Sequence, residues 1–251
     1  MANEGTCRLC GKSARLIKAH ILPKGFYSPI WDYGDPGGPQ SERVPIIVSL
    51  SEASTKPIQT QSGIWDMQIL CSVCDSKSFG PLDKYATHFL IENSLLIPFA
   101  HDERREPILY VAESYDYRKL KLFYMSLLWR SAVTSHTFFK EVKLGPWEIR
   151  LRKALIAGEP GAQEFFSVVP FCYTGEFGKI MQNPIRQRID GVNYVRFRYP
   201  GGGFVIKVDQ RPGAPQLACV ALDPGRELRF ITKAFTETQE HRNVLKQLTS
   251  N

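Results

Sequence analysis

Four of the six cysteines form two pairs with the spacing Cys-x-x-Cys, and together these pairs could bind a metal ion. The first pair is Cys7 and Cys10, and the second is Cys71 and Cys74. Two thiolates three residues apart can bind one tetrahedral ion, and two such pairs supply the four sulfur ligands of a closed structural zinc site. The sequence therefore predicts that residues 11–70 form a loop whose two ends meet at one Zn²⁺ ion.

A disulfide or redox role is the alternative for these four cysteines. A thioredoxin-type motif has one such pair inside a βαβ unit, and neither pair has that setting in the sequence pattern. The other two cysteines, Cys172 and Cys219, lie in apolar runs and are predicted to be buried thiols. In a cytosolic compartment this distribution favours metal binding over disulfides.

The segment that joins the two pairs carries polar residues in an informative order. Its first part is a short apolar-rich run that contains His20 and ends at Pro23. Asp66 lies five residues before the second pair, and Asp75 directly follows that pair. This order resembles that of the cysteine-bearing HNH endonucleases, a nuclease family with a ββα-metal fold. The resemblance covers about residues 7–95, and the residues that carry it are Cys7, Cys10, His20, Ile21, Pro23, Asp66, Leu70, Cys71, Cys74 and Asp75.

The resemblance implies a role for each polar residue. His20 would be the general base that activates water for attack on a phosphodiester, and imidazole suits that task near pH 7. Asp66 lies where the family usually carries the asparagine that orients this histidine. Asp75 lies where a ligand of the catalytic metal is expected, and carboxylates are good ligands of Mg²⁺ or Mn²⁺. This catalytic ion would be distinct from the structural zinc.

The resemblance also implies a function for the whole protein. That function is metal-dependent hydrolysis of phosphodiester bonds in nucleic acid, with DNA favoured over RNA. Nucleic acid is therefore the expected partner, with a partner protein as a further candidate. Proteins built this way are typical of bacterial or phage defence systems and of mobile elements.

The sequence departs from the family pattern at three positions. Ala19 stands where a metal-binding side chain commonly precedes the histidine, so Asp83 or Asp32 would have to supply a missing ligand. Asp66 and Asp75 replace the usual asparagine and the usual histidine or asparagine. These departures leave open an alternative function, a catalytically inactive zinc-stabilised module that binds nucleic acid or a partner protein. On that alternative the histidine is a packed residue or supports the zinc site, and the two aspartates serve turns and caps.

The hydrophobic pattern predicts an α+β protein in which an HNH-like ββα-metal zinc module precedes a mixed helical and antiparallel-sheet domain. The predicted divisions are the module over 1–97, a connector over 98–116 and an α+β domain of unassigned role over 117–251. Predicted strands of the module are 16–21, 43–50 and 64–70, with a turn-rich insertion over 28–62 and a helix over 81–93. The predicted elements of the second domain are helices over 117–134, 146–157 and 236–248, and strands over 165–173, 192–199, 204–208, 217–222 and 228–231.

Composition and charge set limits on the function. The chain has 251 residues, of which 43% are hydrophobic and 23% are charged, as in soluble globular proteins. No apolar stretch approaches the roughly 18 residues of a membrane span, and the first residues lack an apolar signal core, which predicts a cytoplasmic protein. The net charge of +7 arises entirely from residues 101–251. This excess permits nucleic-acid binding but does not require it, since alternating arginine and aromatic residues over 186–199 also suit a solvated strand face.

Overall fold

The computed structural model describes residues 4–27, 46–48, 58–59, 63–92, 96–101, 103, 107–174 and 181–234. The strands in this part are β1 (Glu4–Thr6), β2 (Ser13–Arg15), β3 (Ala19–His20), β4 (Ile46–Val48), β5 (Ile58–Gln59), β6 (Trp65–Asp66), β7 (Ile97–His101), β8 (Pro107–Ala112), β9 (Val168–Thr174), β10 (Met181–Ile189), β11 (Val192–Tyr199), β12 (Gly202–Lys207) and β13 (Leu228–Ala234). The α-helices are α1 (Gly80–Thr87), α2 (Tyr117–Val133), α3 (Trp147–Ala157) and α4 (Pro215–Ala218). Helix α1 is continuous with π-helical turns at Cys74–Phe79 and His88–Glu92, and two 3₁₀ turns occupy Lys24–Tyr27 and Thr137–Phe139.

A nine-stranded sheet with the order β5-β4-β10-β11-β12-β9-β13-β8-β7 dominates the fold. The predicted α+β class is confirmed, and the sheet predicted to be antiparallel is mixed. Strand β4 pairs in parallel with β10, and β13 pairs in parallel with β9. Both parallel pairs join strands that are distant in sequence, and parallel neighbours need such long crossovers. Two separate ribbons, β1–β2 and β3–β6, lie in the N-terminal section.

Helix α2 is covered on all sides. Every residue from Leu120 to Ser131 is buried, so the helix lies inside the core and does not border it. Phe123 stacks on Phe26 of the N-terminal section with ring centroids 5.4 Å apart. Tyr124 packs on Phe204 of the sheet with centroids 4.4 Å apart. The helix therefore connects the two parts of the chain through direct side-chain packing.

The burial of α2 overturns one expectation from its sequence. The apolar stripe of this helix places Lys121 on a solvent face, but its side chain is fully buried. Its ammonium group donates hydrogen bonds to Tyr117 Oη at 2.9 Å, to Ala162 O at 2.6 Å and to Gln163 O at 3.4 Å. The loop over 158–167 covers the face of α2 that contains Lys121, which the hydrophobic periodicity predicts to be exposed to solvent.

One hydrophobic cluster extends from Cys7 in the first knuckle to Phe230 in β13. The division at residue 97 stays a prediction, and the described contacts cross it through α2. Residues 98–116 hold most of β7 and all of β8, which form one edge of the sheet. At the opposite edge, β4 and β5 come from the predicted insertion.

Several predicted elements differ from those observed. The strand predicted over 217–222 is instead the short helix α4 and a turn, because Pro215 begins a helical turn there. The strands β7, β8 and β10 are not predicted, and each contains a proline, which argues against strand structure in a sequence pattern. The helix predicted over 236–248 and most of the insertion over 28–62 lie outside the described residues. No described helix combines the length and the apolar character that crossing a bilayer requires.

Gly203 in β12 is predicted to be intolerant of a side chain. A Cβ at this position would overlap the carbonyl oxygen of Phe197 and the ring of Phe171 on the neighbouring strands. We expect Gly203→Ala to lower the free energy of unfolding by about 1–3 kcal/mol, measured by urea denaturation. Gly80→Ala is the matched control, because its Cβ would meet only ordinary contact with Asp75 O at 3.5 Å. This control should stabilise the protein by about 0.5–1 kcal/mol, so equal effects of the two variants would contradict the assigned strand packing.

Candidate metal centre and active site

The first cysteine pair lies in a tight turn between β1 and β2. The Gly11 N–H donates to Cys7 O at 2.8 Å, and the Cys7 N–H donates to Lys12 O at 2.9 Å. Gly11 has φ of 76°, in the left-handed region that glycine adopts most easily. The sequence around Cys10 therefore closes a knuckle that brings both thiols together.

The second pair lies where the loop after β6 enters the helical segment that begins at Cys74–Phe79. Backbone hydrogen bonds join this loop to the first knuckle. The Arg8 N–H donates to Ile69 O at 2.9 Å, and the Ile17 N–H donates to Leu70 O at 3.0 Å. The two pairs are thus positioned against each other by main-chain contacts as well as by their sulfur atoms.

The four sulfur atoms of Cys7, Cys10, Cys71 and Cys74 all lie within 4.8 Å of one another. Zinc with four sulfur ligands at its usual bond length separates the sulfurs by about 3.8 Å. Three of the four cysteines are buried and Cys10 is partly buried, as suits a closed structural site. The predicted convergence of the four cysteines is therefore confirmed, and their arrangement can hold a metal such as zinc.

The pKa values of Cys7 and Cys74 indicate why the cluster would bind a cation. Burial opposes ionisation of Cys7, but backbone hydrogen bonds from Cys10, Cys71 and Leu9 outweigh it and lower the pKa to about 7. At Cys74, burial and the neighbouring thiols raise the pKa. Without a cation, the Cys74 thiol therefore resists ionisation. A bound dication would stabilise all four thiolates.

All six cysteines are free thiols in the structure. The prediction that Cys172 and Cys219 are both buried is wrong for Cys219, which is exposed, and Cys172 is partly buried. Cys219 follows the short helix α4 and not a buried strand, which explains its exposure.

His20 lies on the β3–β6 ribbon. The register pairs His20 with Trp65 and Ala19 with Asp66. Because successive side chains of a strand point to opposite faces, His20 and Trp65 share one face of the ribbon. Ala19 is fully buried on the other face and has no atom that can bind a metal.

Asp66 lies on the same face of the ribbon as Ala19, and its carboxylate is hydrogen-bonded to residues that follow α2. Its carboxylate accepts hydrogen bonds from Thr134 Oγ1 at 2.5 Å, from the Gln68 N–H at 2.7 Å and from the Ser135 N–H at 3.4 Å. The register therefore directs this carboxylate away from the His20 face of the ribbon. The structure does not place Asp66 and His20 together as the resemblance implies.

Asp75 begins the helix after the ribbon and is partly buried. Burial raises the pKa of its carboxyl group, the Arg130 guanidinium opposes this, Asp83 adds to it and His20 opposes it. These interactions place Asp75, His20, Asp83 and Arg130 in one electrostatic cluster. The charge of His20 therefore acts on Asp75, and both are among the three predicted catalytic residues.

Arg130 of α2 is the member of this cluster that the sequence does not predict. Its side chain is fully buried. It donates to both carboxylate oxygens of Asp83, at 2.9 and 2.7 Å, and to the backbone oxygen of His20 at 3.0 Å. Asp83, considered in the sequence as a substitute metal ligand, is therefore the counter-ion of a buried arginine.

A basic and aromatic patch lies on the His20 face of the ribbon. Trp65 is 38% exposed, and the ammonium group of Lys18 lies 4.6 Å from the centroid of its ring. Because Trp65 pairs with His20 across the ribbon, this contact places Lys18 on the His20 face as well. This face combines a cation, an exposed ring and an imidazole.

The other described histidines lie outside the cluster. His88 is exposed and contacts Glu92 at 3.2 Å, and His101 is exposed on β7. His136 caps the 3₁₀ turn after α2 by accepting from the Phe138 N–H at 3.2 Å. Burial lowers the pKa of His136, and nearby Asp66 opposes this.

The four cysteines are the only group of three or more histidine, cysteine, aspartate or glutamate side chains found close enough to share an ion within the described residues. Neither His20 nor Asp75 belongs to such a group among the described residues. Asp32, the other substitute ligand considered in the sequence, lies outside the described part of the chain.

Comparison with known proteins adds no assignment. The chain matches no protein-family model, and it has no significant similarity to the curated proteins or to the solved structures with which it was compared. Any function must therefore be argued from the residues of the site.

Proposed function

We propose that this protein is a metal-dependent endonuclease of the HNH type that hydrolyses phosphodiester bonds in nucleic acid. The proposal combines the residue order of the N-terminal third with the contacts of the structure. Zinc is the proposed structural ion, held by the four cysteines.

The observation that carries the proposal is that Arg130 joins the elements of His20 and Asp75. It donates to His20 O and to Asp83 of the helix that continues from the segment of Asp75. Strands β3 and β6 pair with each other, and the helical segment that begins at Cys74 follows β6. His20 lies on the first of these strands and Asp75 at the start of the helix, and the charge of one acts on the other. A histidine beside a carboxylate on such a frame is what a metal-assisted hydrolase requires.

The proposed chemistry assigns the proton transfer to His20. The imidazole accepts a proton from a water molecule while the water oxygen forms a bond to phosphorus. The bond from phosphorus to the leaving oxygen then breaks, and that oxygen takes a proton from solvent. Asp75 would be a protein ligand of the catalytic metal ion.

The catalytic ion of this proposal would be one Mg²⁺ or Mn²⁺ with few protein ligands. Asp75 offers carboxylate oxygens for it, and Mg²⁺ usually keeps several waters and binds substrate phosphate. When bound, this ion would neutralise the negative charge that develops on the phosphate and on the leaving oxygen. Ala19 contributes no ligand, which is consistent with a water-rich coordination shell.

Lys18 and Trp65 suit a nucleic-acid substrate. The lysine can neutralise a phosphate, and an exposed ring beside a cation can stack on a base. Both lie on the face of the ribbon that carries His20. DNA is the substrate proposed first, as the family resemblance implies, and RNA is the second.

Two observations favour the alternative proposal, an inactive zinc-stabilised module that binds nucleic acid or a partner protein. Ala19 is buried and cannot bind a metal, and Asp66 is fully engaged with the residues after α2. Such a module would retain binding through Lys18 and Trp65 without cleavage.

Plasmid cleavage by the zinc-loaded protein with Mg²⁺ or Mn²⁺ tests the two proposals. We expect His20→Ala to lower the cleavage rate about 10²- to 10⁴-fold, the usual contribution of a general base. The matched control is His88→Ala, because His88 is an exposed histidine of the same module. That variant should cleave at the rate of the unmodified protein.

Equal cleavage by the unmodified protein and His20→Ala would contradict the nuclease proposal, as would the absence of cleavage from both. In the second case, a gel-shift assay with the same plasmid separates the remaining outcomes. Binding that is weakened by Trp65→Ala and Lys18→Ala would support the inactive module.

A further inference from the structure

We propose that Arg130 is a positioning residue of the candidate active site. This inference rests on the proposed function, and it concerns how α2 sets the location of His20. Arg130 lies 110 residues after His20, outside the segment that carries the family resemblance.

All five N–H groups of the Arg130 guanidinium have acceptors. Nη1 donates to His20 O at 3.0 Å and to Asp83 Oδ2 at 2.9 Å, and Nη2 donates to Asp83 Oδ1 at 2.7 Å and to Ser126 Oγ at 3.0 Å. Nε donates to Ser126 O at 3.4 Å. The planar group also lies over the ring of Phe79, with its central carbon 5.1 Å from the ring centroid. A fully buried guanidinium with every donor used has a fixed location and orientation.

These contacts join the three elements that build the site. The acceptor on β3 is the backbone of His20 itself, the acceptor on α1 is Asp83, and the side chain comes from α2. Asp75 belongs to the helical segment that continues into α1. Arg130 therefore fixes the strand that carries His20 relative to the helix that carries Asp75.

The bidentate geometry explains why an arginine occupies this position. The planar, forked guanidinium group can bind a carboxylate through two parallel hydrogen bonds and still direct one N–H to the His20 carbonyl. A lysine retains the charge, but its single nitrogen cannot reproduce that planar set of bonds. A displacement of about 1 Å in a catalytic group can reduce a rate about 100-fold, so the loss of this fork should affect catalysis.

A purely structural role would give a different result, and this difference is the basis of the test. A buried ion pair can often be replaced by apolar residues without loss of stability. The double variant Arg130→Met/Asp83→Leu should therefore remain folded but lose the hydrogen bond to His20 O. The variant Arg130→Lys retains the positive charge but removes the planar guanidinium group and its set of hydrogen bonds.

The experiment measures plasmid cleavage and hydrogen exchange on the full-length, zinc-loaded protein. We expect both variants to lower kcat about 10- to 100-fold with KM changed less than about twofold, because the substrate contacts remain. Amide exchange in the segment 16–22 should become faster in both. Arg152→Lys is the matched control, since Arg152 also donates to a backbone oxygen, that of Leu9 at 2.7 Å, but not to His20. The control should change neither kcat nor the exchange of this segment.

The outcomes separate this inference from the proposed function. If the unmodified protein cleaves and both folded variants retain its kcat, the positioning role is overturned. If the unmodified protein does not cleave, the nuclease proposal fails, and hydrogen exchange still decides whether Arg130 fixes the His20 strand. Unchanged exchange in 16–22 overturns the inference in either case.

Discussion

Removal of the metal, or replacement of one of its cysteine ligands, should unfold the N-terminal section of this protein. The four sulfurs lie within 4.8 Å of one another, and they approach so closely because two distant segments of the chain meet there. Structural zinc sites contribute about 10–16 kcal/mol of apparent binding free energy, much of which is folding free energy. Cys7 and Leu9 belong to the same hydrophobic cluster as α2, so the loss should extend into the core.

The measurement is thermal unfolding followed by circular dichroism, with zinc content from elemental analysis of the purified protein. We expect about one Zn²⁺ per chain, a large fall in Tm with a strong chelator, and a similar fall for Cys7→Ser and Cys74→Ser. Cys219→Ser is the matched control, because Cys219 is an exposed free thiol outside the cluster. An unchanged Tm in chelator, or protein isolated without any transition metal, would contradict the metal assignment.

The stability of the protein should increase between pH 7 and pH 9.5 because of Lys121. Burial lowers the pKa of this lysine to about 7, against an ordinary value of 10.5, with Glu164 opposing this shift and Lys207 adding to it. In this pH window the unfolded chain retains a proton that the folded protein has lost, so raising the pH favours the folded state. Below pH 7 both states are protonated, and the cost of burying the charge is present in full.

The expected gain is at most about 1.4 kcal/mol per pH unit, or about 3 kcal/mol over the window. The variant Lys121→Met isolates this contribution, because it removes the titrating group while filling a similar volume. The difference in unfolding free energy between Lys121→Met and the unmodified protein should therefore change by about 3 kcal/mol between pH 7 and 9.5. Urea denaturation in excess zinc measures this difference in unfolding free energy. The pH range ends at 9.5 because tyrosines of the unfolded chain begin to ionise above it. Parallel pH curves for the two proteins would show that the lysine does not lose its proton in this range.

The sequence predicts the parts of the site that local spacing encodes. The Cys-x-x-Cys pairs predict their own convergence because one ion needs ligands from both, and the structure confirms it. The catalytic roles of His20 and Asp75 stay predictions. The side of the ribbon on which Asp66 lies cannot be predicted from spacing, because a register shift of one residue moves every side chain to the opposite face.

Arg130 shows why the rest of the site cannot be predicted in this way. Its partners Asp83 and His20 are 47 and 110 residues away, and periodicity carries no information on contacts at that separation. One signal is nevertheless present. Arg130 lies three residues after Leu127 and seven after Phe123, so it falls on the apolar face of its own helix, where a charge needs a partner.

The parallel pairing of β4 with β10 also has a consequence for the isolated chain. The segment between the two cysteine pairs supplies β4 and β5. This segment, whose ends the metal ion would join, therefore pairs with β10 at one edge of the nine-stranded sheet. Without the ion, Met181 and Gln182 of β10 would lose their main-chain partners and present open amide groups to other molecules. Zinc depletion should therefore promote self-association, and fresh chelator-treated protein should form larger species in light scattering before its helices are lost.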